Sequence, residues 1–289
     1  QPIASRRELI EQLREEAAAL NGDPRIVHWA ASVHLSQTTQ RQYLDGELVG
    51  DESFSFVVPN LEATAASGGR SQTRTLGGQY NGFCRQGGGE VIDLSGLRGG
   101  GARIGREALQ LLDAPNCPND RRSLLLAPDQ MLLQIHESIG HPLELDRILG
   151  DERNFAGTSF VTLDMFGRYR YGSPLLNVSF DPTHAGGFAS YGVDDEGTPA
   201  AKVRLIEDGM LRRPLGSALS VARARAVGFS FAGTANARAS GWHRPPIDRM
   251  ANINVEPGDS SLAQMVRDTE RGVLMRTNVS WSIDDSRNK

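Results

Sequence analysis

Apolar residues recur at helical spacing from Ser5 to Leu20, at Leu9, Ile10, Leu13, Ala17 and Leu20, which predicts one buried helical face. Asn21-Gly22-Asp23-Pro24 ends it, since glycine and proline punctuate helices. Ile26 to Leu35 then reads as a strand and Gln37 to Leu44 as a second. Asp45-Gly46 is the turn into a third, with Phe54, Phe56 and Val58. Residues 67–105 are glycine-rich and read as turns and close packing. Arg106 to Leu112 returns to helical spacing, Ala114 to Asp120 is a linker, and Ser123 to Ala127 is a strand. Pro128-Asp129 opens a helix through Met131, Leu132 and Leu133, because proline and an acid suit a first helical turn. Further on, strands are expected at Ser159–Leu163, Leu176–Phe180, Ala201–Ile206, Met210–Arg213, Asn252–Val255 and Val273–Trp281. Helices are expected at Leu219–Val227 and Leu262–Thr269, and Gly228 to Pro246 reads as a long loop. The count predicts an α+β fold dominated by antiparallel sheet, with residues 1–122 and 123–289 as its two regions.

Composition narrows the function classes. The net charge is −4, the pI is near 5.9, and no long basic stretch occurs, so binding to DNA or RNA by charge is not expected. Mean hydropathy is −0.36 and no apolar run reaches 18 residues, so no membrane span or membrane partner is expected. Two cysteines, Cys84 and Cys117, make no disulfide framework, which points to a reducing cytoplasm. The glycine runs at 87–89 and 99–101 fit neither a phosphate loop nor a dinucleotide fingerprint. His28 and His34 have nothing nearby to complete a metal site, and Asp194-Asp195-Glu196, followed by Gly-Thr-Pro, reads as a turn at a strand end.

The chemistry gathers in Gln134-Ile135-His136-Glu137-Ser138-Ile139-Gly140-His141-Pro142-Leu143-Glu144-Leu145-Asp146. His136 and His141 can ligate Zn²⁺, and Glu137 beside the first can take a proton from metal-bound water. The pattern is HExxxH, not the familiar HExxH. On a regular helix of roughly 100° per residue, side chains five apart diverge by roughly 140°. They can share a metal only if the helix unwinds, bulges or ends between them. Gly140 tolerates such distortion, and Pro142 biases the residue before it out of the helical region.

The wider pattern, His136-Glu137-x-x-Gly140-His141-x-x-Glu144-x-Asp146, resembles the TldD/PmbA family of metallopeptidases. It is similar to the TldD-type subunit, because the PmbA-type subunit typically lacks these histidines. Two more segments carry the resemblance. One is Val193-Asp194-Asp195-Glu196-Gly197-Thr198-Pro199 with Ile206-Glu207-Asp208-Gly209-Met210-Leu211; the other is His243 through Asn252, then Glu256-Pro257-Gly258. The match runs from about Asp23 to the end. Family members extend further at both ends and take a third zinc ligand from a cysteine far downstream. Here both cysteines precede His136, so a fragment of a longer protein is expected.

The resemblance implies a zinc-dependent peptidase acting on unfolded or extended peptides, including leaders of modified peptides. It further implies a homodimer or a heterodimer with a PmbA-type subunit. His136 and His141 are then the metal ligands and Glu137 the catalytic base. Glu144 and Asp146 are candidates either for orienting the histidines or for solvated helix-end acids. His243 and Arg249 are candidates for substrate binding, with Arg249 alternatively pinning the long loop. Two other readings stay open: an inactive scaffold subunit of such a complex, and a metal hydrolase of non-peptide amides.

Overall fold

The computed structural model describes residues 2–78, 83–154 and 157–278. In chain order its elements are α1 (Arg6–Leu20), the strands β1 (Ile26–Leu44), β2 (Glu47–Ser67), β3 (Arg70–Thr75) and β4 (Arg85–Gln86), then α2 (Gly89–Leu94) and α3 (Gly101–Asp113). Strand β5 (Ser123–Leu126) leads into α4 (Pro128–Ile135), a π-helical turn (His136–Gly140), a 3-10 turn (His141–Leu143) and α5 (Leu145–Leu149). After these come β6 (Val178–Phe180), β7 (Val203–Glu207), β8 (Met210–Leu211), α6 (Ala218–Ala226), β9 (Ala237–Arg238), β10 (Ile247–Asp248), β11 (Ile253–Val255), α7 (Leu262–Asp268) and β12 (Gly272–Met275). Apart from the parallel pair β5–β12, the registered strand pairs are antiparallel. The fold is therefore α+β, as the hydrophobic pattern predicts. Among the described residues no helix is long and apolar enough to cross a membrane.

Two compact units emerge. The first comprises the described residues of 2–38, 54–130 and 262–278. Its core forms where the alternating face of β2, with Val57, Leu61, Ala63 and Ala65, meets Leu9 and Leu20 of α1 and Ile104, Ala108 and Leu112 of α3. The period of two on the strand and of four on α3 are the two geometries of a half-buried element. Gly105 sets the helix–helix distance: a Cβ there would lie 2.6 Å from the Leu20 carbonyl oxygen. Glu16 is buried and accepts backbone N–H bonds from Gly99 (2.5 Å) and Gly101 (2.8 Å). Its carboxylate thus caps the start of α3, which has no side-chain cap of its own.

The second unit comprises the described residues of 39–53 and 131–261. Its sheet runs β11-β6-β7-β8. All three residues of β6 are buried, so Val178 and Phe180 join Ile139, Leu143, Val161, Leu205, Ile206, Leu211 and Leu215 in one core. Burying each such side chain contributes roughly 1.5–3 kcal/mol. Ile139 and Leu143 thereby anchor the histidine segment to this sheet. The chain leaving that segment is tied again where Leu215 N–H donates to Leu143 and Leu145 N–H to Leu215.

Several expected elements change. Ile26 to Leu44 is one strand, because pairing with β2 carries the polar run Ser36 to Gln42 without a break. Asp45 and Gly46 make the turn, both at positive φ (50° and 87°), as a two-residue hairpin loop requires. The glycine-rich stretch also holds β3 and the short helix α2, too short for periodicity to reveal. Residues 159–162 are irregular: the Ser159 hydroxyl takes the Val161 N–H that a sheet would otherwise use. Strand β12 ends at Met275, and the end of the expected strand, 279–281, lies outside the described residues.

Candidate metal centre

The histidine segment departs from a regular helix where its spacing demands it. The His141 N–H donates to the His136 carbonyl, five residues back. Closing the ring over five residues gives positions five apart the stacked relation that an α-helix gives positions four apart. Gly140 serves this in an unexpected way. Its backbone is right-handed helical (φ −57°, ψ −70°), so it is no loose hinge. Glycine supplies space instead: a Cβ would collide with Met250, whose Cε would be 2.6 Å away. His141 also stays helical (φ −59°, ψ −41°) despite the following proline, and the chain turns extended only at Glu144 (ψ 119°). Pro142 acts by withholding an N–H, not by bending the residue before it.

Breaking the ladder frees backbone groups, which side chains from elsewhere then pair. The Tyr171 hydroxyl donates to the Ser138 carbonyl. The Ser159 hydroxyl donates to the Pro142 carbonyl (2.7 Å), and Asp248 accepts the Asp146 N–H (2.9 Å). Asp146 returns the contact, accepting the Asp248 N–H (3.0 Å).

The widened turn brings His136, Glu137 and His141 together. One ligand atom from each lies within 4.8 Å of the others, and the two imidazole rings are 4.5 Å apart, edge to face. Ligand atoms on one tetrahedral zinc are roughly 3.4 Å apart, given metal–nitrogen distances of roughly 2 Å. Small side-chain rotations close that gap, so this donor set fits a zinc-like ion. The His136 ring is 47% exposed and Glu137 and His141 are 20% and 15% exposed, so the group is open to solvent on one side.

Behind His141 the surroundings are charged and closed. His141 Nδ1 lies 2.9 Å from Glu144 Oε2 and 3.2 Å from Arg147 Nη2. One nitrogen cannot donate and accept at once. The carboxylate is nearer, and Arg147 Nε already donates to the same oxygen (3.0 Å), so the proton is assigned to Nδ1, facing Glu144. Arg249 approaches Glu144 (3.5 Å) and pairs with Glu152 (3.0 Å). Burial pushes the Glu144 carboxyl up to about 7, against the pull of Arg249 and Arg147. Asp146 rises to about 7 through burial and the neighbouring Asp248 and Glu144. Burial also raises the Tyr171 phenol, which keeps its proton.

The sequence candidates thus separate. His136, Glu137, His141 and Glu144 form one cluster. Asp146 lies beyond it, bound to Asp248, and Arg249 reaches it through Glu144. His243 is exposed beside Trp242, their rings 5.7 Å apart, and is not a member of the cluster. Asp194 accepts the N–H groups of Glu196 and Thr198, which is the turn expected there. Periodicity could have offered Arg147, three residues after Glu144. Asp248 and Met250 fall in the segment His243 through Asn252 that carries the resemblance, whereas nothing in the sequence pointed to Tyr171 or Ser159.

A donor set on one helix turn, above an antiparallel sheet, marks the chain as a candidate metalloprotein. Residues 119–288 match the family model described as the PmbA/TldA metallopeptidase C-terminal domain, and the chain belongs to the TldD/PmbA family. It is 34% identical to a metalloprotease of Methanocaldococcus jannaschii over 61% of this chain and 36% of that protein. It is 29% identical to a metalloprotease of Methanothermobacter thermautotrophicus over 98% of this chain and 57% of that protein. The chain therefore spans only part of the length of these relatives. The crystal structure of TldE from Thermococcus kodakarensis superimposes with a TM-score of 0.65 at 18% identity, covering 96% of this chain and 59% of that one, a likeness of fold.

Proposed function

We propose that this chain carries the catalytic centre of a zinc-dependent peptidase that cleaves unfolded or extended peptides, leaders of modified peptides among them. The observation that carries this reading is the clustering of His136, Glu137 and His141 on a helix turn widened to suit their spacing. Relatives named metalloproteases support the reaction class. His136 and His141 would hold the metal, which when bound supplies a Lewis acid that polarises the scissile carbonyl and acidifies water. Glu137 takes the proton of the attacking water and returns it to the leaving amine. Glu144 accepts the His141 Nδ1–H and so directs the other ring nitrogen to the metal. Arg147 and Arg249 hold Glu144 in place. Asp146, through Asp248, fixes the backbone that follows. His243, exposed on the long loop, is assigned to peptide binding. A dimer, with itself or with a PmbA-type subunit, and a cytoplasmic setting complete the proposal.

The test is metal content by mass spectrometry on the longest native form, purified without chelator or added zinc. About one zinc per chain, lost in His136→Ala, is expected. Glu137→Gln should keep the metal yet lower peptide cleavage by about 10²- to 10⁴-fold. A folded native protein without metal would overturn the reading. Full activity in Glu137→Gln would remove the base.

A further inference from the structure

We propose that Tyr171 is a positioning residue of this centre, whose hydroxyl holds open the widened turn that lets His136 and His141 face one site; the proposal rests on the metal reading above. The argument begins with the Ser138 carbonyl. In a regular helix it would accept the N–H of residue 142, but residue 142 is proline and has none. The His141 N–H is committed to His136, Leu143 lies in the 3-10 turn His141–Leu143, where amides bond three residues back, and the Glu144 N–H turns back onto the His141 carbonyl (3.2 Å). The partner that the structure gives Ser138 is the Tyr171 hydroxyl. Ser138 is exposed, so without the hydroxyl its carbonyl would turn to water, and the tie between this turn and Tyr171 would be lost at the modest cost of one exposed hydrogen bond. Released from that tie, the turn would fray or shift, and either change rotates His141 away from His136.

Tyr171 is itself held firmly. Its N–H donates to the Gly209 carbonyl (2.7 Å), which fixes it against the β7–β8 turn. Its ring lies between Phe160 (5.9 Å) and Tyr169 (6.0 Å, edge to face). Ser138 is two residues from His136, roughly half a turn round the helix. The Tyr171 hydroxyl bonds a main-chain carbonyl and is no member of the donor group, so it supports the turn without taking a ligand position.

Tyr171→Phe deletes one oxygen and keeps the ring packing. In the metal-free protein, hydrogen exchange at the His141 amide should speed by about 2- to 10-fold, while the amides of β6 and β7 keep their protection. Zinc affinity, read by competition with a chromogenic chelator, should fall by about 10- to 100-fold, and the absorption bands of the cobalt-loaded protein should shift. Tyr169→Phe should leave all three readouts unchanged. Wild-type exchange at His141 together with wild-type zinc affinity in Tyr171→Phe would overturn the proposal. Faster exchange in the variant with no zinc bound even by the wild type would overturn it through the metal reading, not through Tyr171. Should Tyr171→Phe not fold, Pro142→Ala offers a second test. It gives Ser138 an N–H partner and favours ordinary pairing, so zinc affinity should fall while stability holds; unchanged affinity would overturn the proposal.

Discussion

At the residue scale, the charged shell around His141 has the most measurable consequence. Glu144 and Asp146 are buried carboxyls whose folded values rise to about 7 from 4.5 and 3.8. A raised acid binds its proton more tightly folded than unfolded, so its contribution to stability is full below the unfolded value and is lost as pH rises through the folded one. In metal-free protein these two groups should therefore make stability fall between about pH 5 and pH 7. Denaturant midpoints measured across that interval should show a slope that is shallower in Glu144→Gln. An unchanged slope in the variant would mean that Arg147 and Arg249 outweigh burial and keep Glu144 ionised. The candidate donor residues were legible because they are local: His136, Glu137 and His141 fall within six positions. Arg249 and Asp248 reach the same place from about a hundred positions away, and no spacing rule links them.

At the element scale, helices were readable where one face repeats and unreadable where tertiary contact sets the form. Helices α1 and α3 follow from their apolar periods. Their close approach does not, since it depends on Gly105 lying against the Leu20 carbonyl. Gly105→Ala places a methyl group against rigid backbone and should cost about 1–3 kcal/mol, seen as a lower thermal midpoint of the metal-free protein. An unchanged midpoint would mean that α1 and α3 slide apart without loss. The π-turn shows the opposite balance. That a break must fall between His136 and His141 follows from spacing alone. That it takes the form of a widened turn, with Gly140 under Met250 and Tyr171 on Ser138, follows from what packs around it.

At the scale of the whole molecule, a bound metal would couple to folding. An ion that binds only the folded form stabilises it by about 2.7 kcal/mol at a hundredfold excess over Kd. Zinc should accordingly raise the thermal midpoint of the native protein, and chelator should return it to the value of His136→Ala. Equal midpoints with and without zinc would argue against a site in the folded state.

The sequence by itself determined the α+β class, the Asp45-Gly46 hairpin, the position of the helix break and the donor set. Each of these depends on neighbours within about one or two turns of chain, where periodicity and proline or glycine chemistry act directly. It left open how the break is built and what surrounds His141. Only the tertiary structure decided that β5 pairs in parallel with β12 and that Tyr171, Ser159 and Asp248 take up the backbone groups a broken helix frees. The physical reason is that a freed carbonyl or amide requires a partner without specifying which one. The fold supplies that partner by bringing distant segments to the same point.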